Sequence, residues 1–368
     1  MTKQNHSTRK ILLNTLTAAV LLSLPSAVSS QTEVHKYIPG VTAEGVTYYL
    51  PKTAICVTLT MKRQTAYPGD FKDYASRYLR LQNVQQQETT QWTLEEVSIM
   101  PYGVPDTSKV FSIPLRRKTV APLVGLTDDG IVTAINTEGE AAPMPEALPA
   151  PQKTTTKKNS RDVMTEEILY AGNQSKMAEL SAAEIYDIRE SRSALAKGQA
   201  DNMPKDGAQL KLMIDQLNEQ EEALMQLFRG WTENETRTAQ IIYVPTKETQ
   251  KEILARFSDE LGLVDKNNLA GEPIWIDITD KKTIPAEQDN GKAKKTDAEA
   301  LRYTVPSQVN VKIYTRSKTL AEITTPMGQF GRTEVLSSEL LNKRPTTKAT
   351  FNPVTGGLKK LTDQTGGM

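Results

Sequence analysis

The sequence predicts an α+β fold of two mainly antiparallel β parts with a helical hairpin inserted between them. Three observations lead there. Stretches such as residues 48–60 (YYLPKTAICVTLT) and 273–278 (PIWIDI) alternate apolar and polar side chains, the period of two expected of a half-buried strand. Residues 177–228 carry a different rhythm, with Met177, Leu180, Ile185, Ile188 and Leu195 on one helical stripe and Leu210, Ile214, Leu217, Leu224 and Phe228 on a second. Between these patterns, 138–161 (EGEAAPMPEALPAPQKTTTKKNSR) holds almost no large apolar residue and cannot bury enough surface to offset its ordering entropy.

The first 30 residues read as an address. Lys3, Arg9 and Lys10 precede an apolar run at 11–24, and Val28, Ser29 and Ser30 are the small residues a signal peptidase selects, so cleavage between Ser30 and Gln31 is expected. The apolar run is shorter than the roughly 20 residues of a membrane-spanning helix, and no transmembrane segment is expected after cleavage. Export to the periplasm or cell surface follows. The expected organisation is a signal peptide at 1–30, a β-rich part with one short helix at 31–140, a Pro/Lys/Thr-rich linker or loop at 141–165, the helical hairpin at 166–235, and a β-rich part with one helix at 236–368.

In the first β part, Pro51 marks a turn between strands at 46–50 and 54–62. Asp70 is placed to cap a short helix bearing Phe71, Tyr74, Ala75, Tyr78 and Leu79. Strands follow at 92–100 and 109–115, and Asp128-Asp129-Gly130 signals a hairpin between 123–126 and 131–135. In the helical hairpin, Gly198 suits a left-handed cap, Asp206 an N-cap, and Gly230 lies beyond the end. Glu221 falls on the apolar seam, where a charge needs a partner, and Arg192 is suited to supply it. The second β part reads as a strand at 238–244, a helix at 248–261 carrying Ile253, Leu254, Phe257 and Leu261, the strand at 273–278, and a polar loop at 280–297.

Residues 301–315 (LRYTVPSQVNVKIYT) then lie against 46–60 at a constant offset of 255, with Tyr303 on Tyr48, Pro306 on Pro51 and Val311 on Cys56. A duplicated β module and shared strand grammar both account for the match. The valine opposite Cys56, the only cysteine, favours a packing role for the thiol.

Composition narrows the chemistry. Lys and Arg total 45 against 44 for Asp and Glu, without the basic excess that a nucleic-acid partner selects. The chain has two histidines, His6 in the leader and His35 near the mature start, so the body offers none for a Ser-His-Asp triad or for zinc. Glycine-rich phosphate loops are missing, and Asp265, Asn267 and Gly271 place glycine one position late for a calcium loop. Asp201, Asn202 and Asp206 supply turn oxygens that an N-cap and a loop account for. No cofactor or metal is expected. Asp277, Asp280 and Glu322 are among the carboxylates available to a histidine-free hydrolase, though no pair is singled out. Trp92 and Trp275 sit in strands, as core residues do, whereas Trp231 is the exposed aromatic best placed for binding or, alternatively, a staple for the hairpin.

The stretch at 188–230 (IRESRSALAKGQADNMPKDGAQLKLMIDQLNEQEEALMQLFRG), with GVTYYLP upstream, resembles the exported bacterial family known as domain of unknown function number forty-eight thirty-one. The resemblance covers most of the mature chain and implies an envelope or secreted location in bacteria of the Bacteroidetes type. It implies no activity and no catalytic residue. The function expected is that of an exported envelope protein with a structural, scaffolding or protein-interaction role. A glycan- or peptide-binding module is the alternative and a carboxylate-dependent hydrolase the third; the partner expected is an envelope protein or a glycan.

Overall fold

The computed structural model describes residues 35–36, 45–114, 123–285, 301–336 and 347–363. The leader, the Ser30–Gln31 junction and residues 286–297 of the predicted polar loop lie outside them. The described residues form one compact unit. Its elements begin with β1 (His35–Lys36), β2 (Gly45–Tyr67), a 3-10 turn at Lys72–Tyr74, α1 (Ala75–Leu79), β3 (Thr89–Pro114), β4 (Val124–Leu126), β5 (Val132–Ile135) and β6 (Gln152–Thr155). A second 3-10 turn at Ser160–Val163 leads into α2 (Glu166–Leu169), α3 (Gln174–Lys197) and α4 (Gly207–Arg229). Then come β7 (Trp231–Tyr243), β8 (Thr249–Ser258), β9 (Gly262–Val264), β10 (Glu272–Asp280), β11 (Leu301–Tyr314), β12 (Thr319–Leu336), β13 (Thr347–Phe351) and β14 (Leu358–Asp363).

The fold is α+β, and the strands pair antiparallel into three sheets among the described residues: β1-β3-β2-β7-β6, β12-β11-β10-β8-β9 and β14-β13-β5-β4. Alternation explains how the first two face each other. Ile55, Val57 and Leu59 of β2 pack on Ile274, Ile276 and Ile278 of β10 and on Val309, Val311 and Ile313 of β11. A second core joins Tyr48, Leu50 and Ile113 to Val132, Ile135, Leu301 and Phe351, placing the third sheet against the other ends of the long strands. That sheet draws a hairpin from each half of the chain, joined where Ala349 meets Ile135 and Thr350 meets Ala134. The predicted β parts therefore share a sheet. The Asp128-Asp129-Gly130 turn forms as expected, with Gly130 at φ +80°.

Pro51 does not break the chain into two strands. It sits inside β2, where the pairing to β3 shifts between Tyr49 and Pro51, and Pro306 sits at a matching shift between Val305 and Ser307 in β11. A bulge absorbs the missing N–H in both places. Beyond the bulges the resemblance between the halves slips by one residue, because Ile55, Val57 and Leu59, not Cys56, share the core with Val311. Cys56 is buried on the opposite face, so its packing role rests on its own burial and not on a matching valine.

The β2–β7 ladder ends at Ile55 and Tyr243, leaving Thr53 without a strand on that side. Gln329 of β12 takes the strand's place: Thr53 N donates to its Oε1 at 2.9 Å, and its Nε2 donates to Thr53 O at 2.8 Å and to Pro245 O at 3.0 Å. Thr53 Oγ1 donates to Val354 O at 3.0 Å, in the turn between β13 and β14, and Thr304 N donates to Gly356 O at 2.9 Å in the same turn. All three sheets meet here. The approach is so close that a Cβ on Gly103 would stand 2.1 Å from Pro353 O.

Further expectations are corrected. Residues 248–261 hold the strand β8 (Thr249–Ser258) and a turn, not a helix: β8 pairs with β10, and a bulge that leaves Leu254 extra between Ile253 and Ala255 breaks the alternation into the spacing that imitates a helix. Tertiary pairing outweighs the local pattern. The segment 141–165 is not merely a linker, since Gln152–Thr155 adds an edge strand to β7; backbone pairing needs no apolar side chains. Asp70 caps nothing, because the 3-10 turn at Lys72–Tyr74 starts from Phe71, whose N–H donates to Leu227 O at 2.6 Å.

The helical hairpin forms with the anticipated caps. Gly198 adopts φ +67°, and Asp206 Oδ1 accepts Gln209 N at 2.7 Å. Glu221 is clamped by Arg189 Nε at 2.6 Å and Arg192 Nη1 at 2.5 Å. Helix α4 ends at Arg229, so 231–235, expected to close the hairpin, open β7 instead. Among the described residues no helix is long and apolar enough to cross a membrane.

Replacing Gln329 with Leu should lower unfolding free energy by about 3 kcal/mol, since the Thr53 N–H and C=O lose their partner in a buried site. Urea denaturation of the two proteins measures it.

Candidate functional site

The helices join the first sheet through two chain crossings that touch. The segment leaving β2 and the segment entering β7 run so close that a Cβ on Gly69 would lie 2.3 Å from Leu227 O and one on Gly230, at φ +89°, 2.0 Å from Tyr67 O. Only glycine fits either position. Next to this junction, the helical core of Phe71, Ala75, Leu79, Ala182, Ile185, Leu224 and Phe228 begins.

Trp231, the binding candidate, stands at the junction. It pairs across the ladder with Tyr67, and the rings stack with centroids 4.0 Å apart and planes 18° from parallel. Lys157 Nζ lies 4.9 Å from the Trp231 ring centroid. The segment carrying Lys157 is fixed from both sides. Thr156 N donates to Thr232 O at 2.9 Å, while the buried Gln226 donates Nε2 to Thr156 O at 2.6 Å and accepts Lys158 N at 2.8 Å.

Two clefts flank that segment. One, of about 670 Å³, has Lys157, Lys158 and Arg161 along one wall and Phe71, Met164, Met177 and Leu227 along the other. The second, about 550 Å³, is bounded by Trp231 and Tyr67 with the amides of Gln82, Asn83, Gln85 and Gln226. Both volumes suit a small ligand or a short stretch of polymer.

Sheet one continues away from the junction as a row of charge. Because the β2–β7 register runs unbroken from Ile55 to Tyr67, Arg63 shares a face with Ile55, Val57 and Leu59 and lies beside Glu235, with Trp92 on its other side. Glu235 is only 2% exposed; Arg63 Nη2 stands 2.7 Å from its Oε2 and Arg237 Nε 2.8 Å from its Oε1. Both guanidinium groups lie over Trp92, 5.9 and 5.6 Å from the centroid. The hydrogen bond from Arg237, aided by the positive charge of Arg63 and opposed by burial, holds the Glu235 carboxyl below its ordinary value.

Residues 44–359 match the model of the family described as Domain of unknown function (DUF4831). The chain belongs to this family. No curated protein and no solved structure matches the chain.

Several other residues singled out in the DUF4831 chain are held by structural partners. Asp277 Oδ1 accepts Lys251 N at 2.7 Å and Tyr314 OH at 3.0 Å, and Asp280 Oδ1 accepts Ser307 Oγ at 2.6 Å. Asp277 and Glu322 fall in one cross-strand row with Lys312 between them, two strand spacings or about 10 Å apart. Trp92 is buried, and Trp275 packs beside Tyr314 at 5.6 Å. Asp265 Oδ1 accepts Asn267 N at 2.9 Å, as a turn residue does. Cys56 Sγ lies 3.9 Å from Thr58 Oγ1.

Sequence reasoning missed Lys157, Gln226, Arg63 and Glu235. A signal existed for the last: Trp231, Glu233, Glu235 and Arg237 recur at every second residue, a strand face with almost nothing apolar on it.

Trp231→Ala should cost about 2 kcal/mol in denaturant unfolding, reflecting its stack on Tyr67. Glu235→Gln should destabilise at neutral pH. A carboxyl whose folded value is depressed stabilises above its ordinary 4.5, and that stability drains away as pH falls through the folded value. The melting temperature of the parent protein should therefore fall more steeply below pH 4.5 than that of Glu235→Gln.

Proposed function

We propose that this DUF4831 chain is an exported cell-envelope protein that works by binding, as a scaffold or interaction partner, and not by chemistry of its own. One observation carries the reading: among the described residues, the titratable groups that are shifted are pushed away from neutrality. Glu235, Glu334 and Asp106 are all held below their ordinary values. For Asp106, burial works upward but is outweighed by Ser108 and by Lys52 at 2.9 Å. Tyr243 and Tyr303 are pushed up to about 12, first by burial and then by bonds to Glu252 and Glu334. A general acid or base needs the opposite, a group brought toward the working pH.

Export is supported by the basic, apolar and small-residue order of the first 30 residues. The partner favoured is another envelope protein. A glycan is the second reading, and the observation for it is the smaller cleft, where four amide side chains gather beside an aromatic pair. The hydrolase reading is weakened by Lys312, which stands where water and substrate would need to lie between Asp277 and Glu322.

The test is crosslinking of the tagged protein in its own host, followed by identification of what co-purifies. A single reproducible envelope protein is the expected result. Steady turnover of an ester, peptide or glycoside, abolished by one substitution, overturns the proposal.

A further inference from the structure

The larger cleft is built with two unlike walls. Its cations come from one short segment, in which Lys157, Lys158 and Arg161 fall within five residues. The facing wall is apolar and comes from elsewhere: Phe71 before α1, Met164 before α2, Met177 in α3 and Leu227 in α4. Asp70 is the one acid on the lining among the described residues. Two methionines give that wall side chains that adapt to irregular apolar shapes.

The cations are positioned without being neutralised. Gln226 holds the backbone on either side of Lys157, which leans on Trp231. Lys158 has one loose contact, 3.7 Å to the well-exposed Glu219, and Arg161 makes no ion pair among the described residues. A cationic rim carried on an anchored backbone over an apolar wall is complementary to a molecule with an anionic end and an apolar body. We infer that this cleft binds a single-chain anionic amphiphile of the fatty-acid class, its carboxylate at Lys158 and Arg161 and its chain along Met164, Met177 and Leu227. This rests on the binding reading above and names a ligand class for it.

Calorimetric titration of the mature protein, from Gln31 onward, with dodecanoate below its micellar concentration tests the inference. Dodecyltrimethylammonium, acetate and hexaglutamate serve as comparison probes. Saturable one-to-one binding of dodecanoate is expected, with acetate and the cationic amphiphile weaker by at least about tenfold. Lys158→Gln combined with Arg161→Gln should weaken dodecanoate about tenfold. Its melting temperature should stay unchanged, because both side chains are exposed. Met177→Gln should also weaken dodecanoate but leave its preference over the cationic amphiphile intact.

Equal binding of the two amphiphiles overturns the inference, as does indifference to the double substitution. Tight hexaglutamate with no dodecanoate overturns it in favour of an acidic peptide. The two proposals fail separately: a captured envelope partner with no dodecanoate binding sinks only the ligand class, and turnover with dodecanoate binding intact sinks only the non-catalytic reading.

Discussion

The structure depends on one side chain standing in for a strand. Where β7 stops, Gln329 bonds both the N–H and the C=O of Thr53, from 276 residues away in sequence. The need arises because the β2–β7 ladder stops at Ile55 and Tyr243, short of Thr53, close to the irregularities at Pro51 and Pro306. Opposite each proline the partner strand carries three extra residues, in β3 between Pro105 and Val110 and in β12 between Met327 and Arg332, and Gln329 lies in the second of these bulges, where the strand pair turns from one core to the other. Every turn of that kind leaves backbone groups without a ladder, and in a buried place they must be met by something. Gln329, Thr53 and the turn between β13 and β14 meet them together, which ties the sandwich and the third sheet into one body.

Physical pattern, more than length, decided what was legible. β10 was readable because one face is buried and the other is not, and β2 because its apolar run, buried on both faces from Thr53 to Val57, alternates again from Thr58 to Met61. The helix pair was readable from its stripes and its caps, down to the pairing of Arg192 with Glu221. What failed was local evidence overruled by distant partners. β8 reads as a helix until β10 is beside it, and β6 reads as unstructured because a backbone ladder leaves no apolar trace in the sequence.

The site was less legible than the fold for the same reason. Trp231 stood out because large aromatics always do, but its meaning depends on Tyr67 and Lys157, neither of which is near it in sequence. Lys157 and Arg161 belong to a segment whose composition suggested only solvation. Gln226 looks like any other polar residue on a helix until its amide is seen bonded to Thr156 and Lys158. Charge pairs of this type, Glu235 with its two arginines included, are fixed by sheet order, which the sequence pattern does not contain.

The pairing of Tyr67 with Trp231 also sets an order of assembly. β2 and β7 form one continuous ladder, yet the chain between them contains α1, β3 and the helix pair. Closing so long a loop is slow, whereas the contacts between α3 and α4 are local in the chain. A folded helix pair shortens that loop, since it returns the chain at Gly230 directly beside Tyr67. From there the ladder can close residue by residue from Tyr67 toward Ile55. On this route, the charged row is laid down before the apolar half of the sheet finds the second sheet that covers it.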